Sequence, residues 1–375
     1  MTKVKHVLGI SGGKDSAALA IYLHEKYPNL DMEYYTCDTG KELDETYELI
    51  DKLESLLGKK VLRLKAAEGT PEPTPFDHFL SIYGGYLPSN ISRWCTKRLK
   101  LEPFEKYIAA NDSIISYVGI RGDEDREGYI SKKSNIQSIF PFRKNIWSED
   151  VITKVLKNTN IPFLLNAYKA YSISGGKKER IEEVLNTPLS PHFRQVNKLN
   201  ILLDLGTATF NKVVLDFLKT TDYPLSQVDF FPLTDNEDVL VIDDIFRILR
   251  ESGVGVPAYY EKRAYEVEIE GETKTGYYSR SRSGCFFCFF QQKIEWVWLY
   301  ENHPELYKEA TVYEKEGYTW QHGETLDELA RPERRTQIKR EHFIRTQRKK
   351  AKVQSPYLLD ILAEAGGEGC AACFI

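Results

Sequence analysis

No apolar run in this chain is long enough to cross a bilayer. The most apolar later stretch, Cys285 to Phe290, turns polar at once in Gln291, Gln292 and Lys293, far short of the roughly 20 residues a spanning helix needs. A secretory leader is also missing from the pattern. Met1 to His6 run straight into a candidate strand, with no long apolar segment and no small-residue cleavage site, so a cytoplasmic protein is expected. Neither sign of charge dominates: 51 Lys and Arg stand against 55 Asp and Glu, a net charge of −4. That balance excludes a global nucleic-acid signature and leaves only local basic patches. Cysteine is sparse, six residues in 375, yet four of them form the pairs Cys285/Cys288 and Cys370/Cys373. In a reducing compartment the Cys-x-x-Cys spacing points to metal or redox chemistry ahead of structural disulfides.

What is present suffices for a large core, in one decorated domain or two, since 42% of the 375 residues are hydrophobic. Val7 to Ile10 suit a buried strand, and Ala17 to Tyr27 have helical character. Met32 to Cys37 resume as a strand ending at Asp38-Thr39-Gly40. Leu43, Tyr47, Ile50, Leu53 and Leu57 recur at helical spacing before the cap Gly58, and Val61 to Leu64 supply a third strand. Ile114 to Ile120 read as a fourth. This alternation predicts an α/β fold, a parallel sheet flanked by helices, whose ligand crevice lies outside the carboxyl ends of the strands. Ser11 to Ser16, Asp38 to Gly40 and Gly119-Ile120-Arg121 would then meet around one crevice.

Four segments are expected. Residues 1–161 form the nucleotide-binding domain, 162–236 an inserted helical subdomain, 237–330 a return to the core with its Cys-x-x-Cys, and 331–375 a basic C-terminal tail. Arg331 to Lys352 hold ten Lys/Arg against two Glu, which suits either a DNA phosphate backbone or a solvated basic helix. Ser174-Gly175-Gly176-Lys177 echoes the opening turn but lacks a strand before it and is read as a solvent turn.

The opening Ser11-Gly12-Gly13-Lys14-Asp15-Ser16 follows a strand and starts an Ala/Leu-rich helix, the setting of a phosphate-binding turn. The Gly-x-x-x-x-Gly-Lys-Ser/Thr spacing of a Walker A loop is missing. Ser-Gly-Gly-Lys-Asp-Ser instead resembles the PP-loop of ATP pyrophosphatases, with their adenine nucleotide alpha hydrolase-like fold, which split ATP between the α and β phosphates. That resemblance implies ATP and Mg²⁺ as ligands. Gly12 and Gly13 would supply backbone donors, Lys14 and Ser16 would engage phosphate oxygens, and Asp15 would help place the magnesium.

The chain also resembles the phosphoadenosine-phosphosulfate reductase-like branch of that superfamily. The resemblance rests on Asp38-Thr39-Gly40 with Glu45-Thr46, on Cys95-Thr96 with Lys100 and Pro103, on Gly119-Ile120-Arg121, and on Arg282-Ser283-Gly284-Cys285 with Cys288. It covers residues 1–160 and about 240–300. It implies that Asp38, Thr39 and Gly40 lie near the adenosine and that Arg121 and Arg126 face the anionic reaction centre. Arg121 and Arg126 would equally suit surface pairs with Asp123, Glu124 and Asp125. With the PP-loop intact and the Glu-Cys-Gly motif of sulfonucleotide reductases absent, the resemblance points to adenylation of an acceptor oxygen for sulfur insertion, with Lys14, Asp15 and Arg121 catalytic.

Within the branch, the landmarks are most similar to DNA phosphorothioation proteins of the DndC/SspD type, which take sulfur from a cysteine desulfurase. DNA and other proteins of a modification complex are therefore the expected partners. A sulfonucleotide reductase, a tRNA thiolation enzyme and a non-catalytic scaffold for a desulfurase remain alternatives. Cys95, Cys285 and Cys288 are candidate ligands of a [4Fe-4S] cluster, and zinc or free thiols are alternatives. Cys37, Cys370 and Cys373 are candidates for the fourth ligand or for sulfur relay, and Cys37 would equally serve as a small buried strand residue.

Overall fold

The computed structural model describes residues 4–108, 112–124 and 133–353, with side chains as far as residue 348. Five strands, β1 (Lys5–Gly9), β2 (Met32–Asp38), β3 (Val61–Lys65), β4 (Ile114–Tyr117) and β5 (Ile136–Ile139), form one sheet in the order β3-β2-β1-β4-β5. Every neighbouring pair is parallel, with Gly9 opposite Tyr35 and Leu8 opposite Tyr117. The expected parallel α/β fold is present, an adenine nucleotide alpha hydrolase-like (PP-loop) sheet with helices against it. β5 was not read from the sequence: Ile136–Ile139 is only four residues long and buried on both faces, so it lacks a period-two signal.

The order of the sheet reverses at β1, which has β2 on one side and β4 on the other. The loops leaving β1 and β4 therefore diverge and open a crevice between them. Alternation along the strands divides the core. Leu8, Tyr34, Ile115 and Tyr117 face one cluster, while Val7, Tyr35, Cys37 and Ile114 face another beneath Phe104 and Ile108.

Helix α1 (Lys14–Lys26) follows β1, and Ala17, Ala18, Leu19, Ala20, Ile21 and Leu23 are all fully buried. Such a helix is apolar on all sides because it is covered on all sides. It lies between the sheet and the helix Ile242–Glu251, which contributes Ile245 and Leu249 to the same core. Helix α2 (Asp44–Leu57) is one-sided, with Leu49, Ile50, Leu53 and Leu57 inward, and it ends at a left-handed Gly58.

Residues 162–236 are largely helical, with helices Ile161–Lys169, Gly175–Asn186 and Gln195–Leu218. Their Leu164, Leu185, Phe210 and Val214 join the hydrophobic cluster of β1, β4 and α1. Ser174-Gly175-Gly176-Lys177 forms the exposed first turn of the helix Gly175–Asn186. From Tyr259 onward the chain builds a second cluster around Trp296, Trp298, Phe286, Phe287 and Trp320. There it forms an antiparallel hairpin of its own, β6 (Arg263–Ile269) with β7 (Glu272–Tyr278). Tyr265 and Val267 alternate with exposed residues, a pattern that suits a hairpin with one face in water rather than another buried parallel strand. The basic segment becomes the helix Pro332–Val353. No helix among the described residues is long and apolar enough to cross a membrane.

Candidate active site

The turn after β1 is held from within. Ser11 N donates to Ser16 Oγ at 3.2 Å, the two hydroxyl oxygens lie 3.2 Å apart, Gly13 N donates to Ser11 Oγ at 3.4 Å, and Ser16 Oγ donates to Gly13 O at 3.1 Å. Gly12 has φ of +72°, and a Cβ there would lie 2.2 Å from Thr46 Cγ2. The left-handed backbone and the close approach of α2 both require glycine. Gly13 is the N-cap of α1 and offers no side-chain cap. The first turn of a long buried helix thus points its N–H groups at the crevice, a ready anion site.

Two cations converge on one carboxylate. Asp15 is 4% exposed, with Lys14 Nζ 2.9 Å from Oδ2 and Arg121 Nη1 2.8 Å from Oδ1. Arg121 comes from the loop after β4, as the crevice argument required, and also binds Asp123 and Glu124 at 2.8 Å each. Burial works against its charge, but Asp15, Glu124 and Asp123 outweigh burial and hold its pKa above the ordinary arginine value. Arg121 thus pairs both with the neighbouring acids Asp123 and Glu124 and with Asp15 of the turn after β1. Arg126 lies outside the described residues.

The oxygens of Asp15 each keep a lone pair beyond the ion pairs shown. A hard cation such as Mg²⁺ takes oxygen ligands, and Asp15 is the residue here that would help hold one.

Asp38, Thr39 and Gly40 form the turn after β2, with Gly40 N donating to Asp38 Oδ1 at 2.9 Å. Thr39 Oγ1 donates to Glu42 Oε1 at 2.6 Å, and Tyr47 OH donates to Asp38 Oδ1 at 3.0 Å. Burial pushes the Glu42 carboxyl up. Lys41 anchors the loop through Glu309 at 2.6 Å and Asp77 at 3.1 Å, reaching toward α3 (Pro75–Ile82).

Cys37 and Cys285 both feel the charges of Glu42 and Lys100, near the turn after β2. Cys285 sits on the β2 turn, its Sγ 3.2 Å from Thr39 Oγ1, while Phe286 N donates to Lys41 O at 2.8 Å. Cys288 lies in the same turn, its N donating to Cys285 O at 3.1 Å. Burial pushes the Cys285 thiol well above its usual range. Cys95 packs against the same hydrophobic cluster as Cys285. Among the described residues no group of three or more His, Cys, Asp or Glu is arranged to hold a metal ion. Cys95, Cys285 and Cys288 do not form such a group as they stand, and the Cys285 sulfur faces Thr39. Cys370 and Cys373 lie outside the described residues.

Cys37 is buried at the end of β2 and donates to Lys100 O at 3.5 Å, and burial pushes its thiol up to about 12. A thiol held protonated at neutral pH is a poor nucleophile. Iodoacetamide at pH 8 is expected to alkylate Cys37 in the native chain at least about tenfold more slowly than after unfolding, as peptide mass spectrometry would show. Equal rates would remove the buried-thiol assignment.

Several site residues have no signal in the sequence. Tyr259 OH donates to Gly12 O at 2.7 Å, Lys14 N donates to Tyr260 OH at 3.4 Å, and Lys14 Nζ lies 5.2 Å from the Tyr260 ring centre. Gly119, which the strand pattern does place at the crevice, passes so close to α1 that a Cβ would lie 2.9 Å from Asp15 O. These contacts join segments more than a hundred residues apart.

The fold and this turn define a PP-loop type of α/β domain, with a cation-lined crevice at the switch of strand order. Residues 5–176 match the family model of the phosphoadenosine phosphosulfate reductase domain. The chain is 32% identical over 154 residues to an uncharacterized protein of Methanocaldococcus jannaschii, covering 38% of this chain and 30% of that protein. It is 25% identical over 161 residues to an adenosine 5'-phosphosulfate reductase of Allochromatium vinosum, covering 40% of this chain and 58% of the reductase. The chain thus spans less than two thirds of either relative. No solved structure matches the chain.

Proposed function

We propose that this chain is an ATP pyrophosphatase that adenylates an acceptor oxygen so that sulfur can replace it, in the service of DNA backbone phosphorothioation. The observation that carries the reading is the Ser11–Ser16 turn itself. It is an anion site at the start of a buried helix, with Lys14 and Arg121 gathered on Asp15 beside it. A nucleotide that supplies its own terminal phosphates would engage this whole arrangement, whereas one lacking pyrophosphate would leave part of it unused.

In this mechanism the N–H groups of the turn and the Ser11 and Ser16 hydroxyls hold the pyrophosphate end. Lys14 and Arg121 exchange part of their contact with Asp15, Asp123 and Glu124 for phosphate oxygens as charge builds on the leaving group. Magnesium, when bound, supplies further charge neutralisation at the phosphates. The Asp38–Gly40 turn would border the adenosine side, and Cys285 packs on that turn at Thr39. A cysteine desulfurase would be the sulfur donor. DNA would lie along the helix Pro332–Val353, where Arg340, Arg345 and Arg348 are exposed while Arg334, Arg335 and Lys339 pair with Glu324 and Glu301.

The likeness to an adenosine 5'-phosphosulfate reductase supports a second reading, a sulfonucleotide reductase. The two readings consume different nucleotides. Purified chain with Mg²⁺, ATP, DNA and a desulfurase is expected to form AMP and pyrophosphate, and cellular DNA is expected to lose phosphorothioate linkages when the chain is deleted. Sulfite release from an adenylyl sulfate without ATP would establish the reductase instead. Nucleotide binding with neither product would establish a scaffold.

A further inference from the structure

We propose that Tyr260 is a phosphate-contacting residue of the turn after β1, its hydroxyl donating to an oxygen of the pyrophosphate end while its ring seats Lys14. The inference rests on the pyrophosphate reading above. Tyr260 ends the short turn Ala258–Tyr260, 246 residues from Lys14. Its ring packs on Tyr259, with centroids 4.6 Å apart, and edge-on to Phe246 at 6.5 Å. The hydroxyl accepts from Lys14 N at 3.4 Å, and Lys14 Nζ lies 5.2 Å from the ring centre. A Cβ on Gly13 would lie 3.6 Å from the same hydroxyl and 2.8 Å from Ser283 Oγ. Three contacts made by one side chain therefore fall on the junction of the turn and α1.

Lys14 is the first residue of α1, so its N–H has no partner within the helix, and Gly13 supplies no side-chain cap. The Tyr260 hydroxyl meets that N–H at the long end of hydrogen bonding. It stands where an anion oxygen at the helix start would also come. A phenol both accepts and donates. Lys14 N–H uses the accepting side, and among the described residues no group accepts the Tyr260 proton. Burial pushes the phenol well above its ordinary value, so the proton stays on and the group remains a donor. An open donor beside a helix-start N–H and an ammonium group suits a negatively charged oxygen. A base edge would leave the Lys14 charge unused. The ring serves the same ligand, because cation–π attraction gives Lys14 Nζ a second hold when it leaves Asp15 Oδ2, 2.9 Å away, for the phosphates.

The test is calorimetric binding of magnesium pyrophosphate to the full chain, with Tyr260→Phe and Tyr260→Leu each made in the wild-type and in the Lys14→Met background. Tyr260→Phe keeps the ring and is expected to weaken binding about tenfold, the size of a hydrogen bond to a charged group. Tyr260→Leu is expected to weaken it about threefold more, the size of a cation–π contact near the surface. In the Lys14→Met background the difference between Tyr260→Leu and Tyr260→Phe should vanish, while the loss from Tyr260→Phe persists. A role in packing alone would give the same difference in both backgrounds and overturns the seating of Lys14. If Tyr260→Leu fails to fold, Tyr260→Phe in the two backgrounds carries the comparison. Binding by Tyr260→Phe equal to wild type overturns the hydroxyl contact alone, and so does tighter binding, which would make the hydroxyl a competitor for the Lys14 N–H. A wild-type chain that binds no magnesium pyrophosphate overturns the pyrophosphate reading and this inference with it.

Discussion

Asp15→Asn is expected to lower pyrophosphate release from Mg-ATP by at least about a hundredfold, on the scale of losing one preorganised group that stabilises charge. The carboxylate is 4% exposed and is the meeting point of Lys14 Nζ and Arg121 Nη1. Asparagine keeps the volume and one acceptor but loses the charge that gathers both cations and that would help bind magnesium. Asp15→Ala goes further, because it removes the carboxylate between two nearly buried cations and leaves only Arg121 with other acidic partners, Asp123 and Glu124. A stability loss on the order of 3 kcal/mol is expected for it, so the alanine variant is the poorer probe of chemistry. Lys14→Ala should match the activity loss of Asp15→Asn with a smaller effect on melting, since it removes one cation and leaves Arg121 on the carboxylate. Pyrophosphate release and thermal melting measured together separate the two effects. Turnover within a factor of three of wild type in Asp15→Asn or Lys14→Ala would place the reaction elsewhere.

Gly119→Ala is expected to destabilise the fold by about 1–3 kcal/mol, the usual range for overpacking, and to weaken nucleotide binding along with it. A Cβ there would meet Asp15 O at 2.9 Å and Asp15 C at 3.0 Å. Both are backbone atoms, so no rotamer change relieves the contact. Either the exit of β4 or the first turn of α1 has to move, and Arg121 and Asp15 sit on those two segments. Gly175→Ala is the control, because a Cβ at Gly175 has nothing within 4 Å, and it is expected to be neutral or slightly stabilising. Urea denaturation of both variants checks the pair. Wild-type stability in Gly119→Ala would mean that the two segments are not in close contact.

The shape of the candidate site explains why its parts were unequally legible. The strand, the Gly12-Gly13 turn and the start of α1 are set by local chemistry: an apolar run, residues that tolerate a left-handed turn, and Ala/Leu spacing over ten or so positions. That chemistry is written in consecutive letters, so Ser11 to Ser16 were readable as a phosphate turn. Asp38 to Gly40 and Arg121 were readable for a related reason, since the strand alternation predicts which ends of the chain face a common crevice. The fifth strand was not, because four residues buried on both faces carry no alternation. The antiparallel hairpin of β6 and β7 also escaped, although Tyr265 and Val267 show its period once the partner strand is known.

The cysteines mark the limit most clearly. Their spacing in the chain says only that Cys285 and Cys288 share a turn, and it says nothing of which way a sulfur points. The tertiary structure turns Cys285 onto Thr39, 246 residues away in sequence, and buries Cys37 against Lys100 O, 63 residues away.

By itself, then, the sequence determined the parallel α/β sheet, the glycine turn after β1 and the side of the sheet on which the crevice opens, because each of these follows from short-range periodicity and turn chemistry. Only the tertiary structure decided what surrounds that turn. Arg121 reaches Asp15 across 106 residues and Tyr259 reaches Gly12 across 247. Contacts of that span depend on how the sheet and the two hydrophobic clusters pack together, and no local pattern of residues encodes that packing.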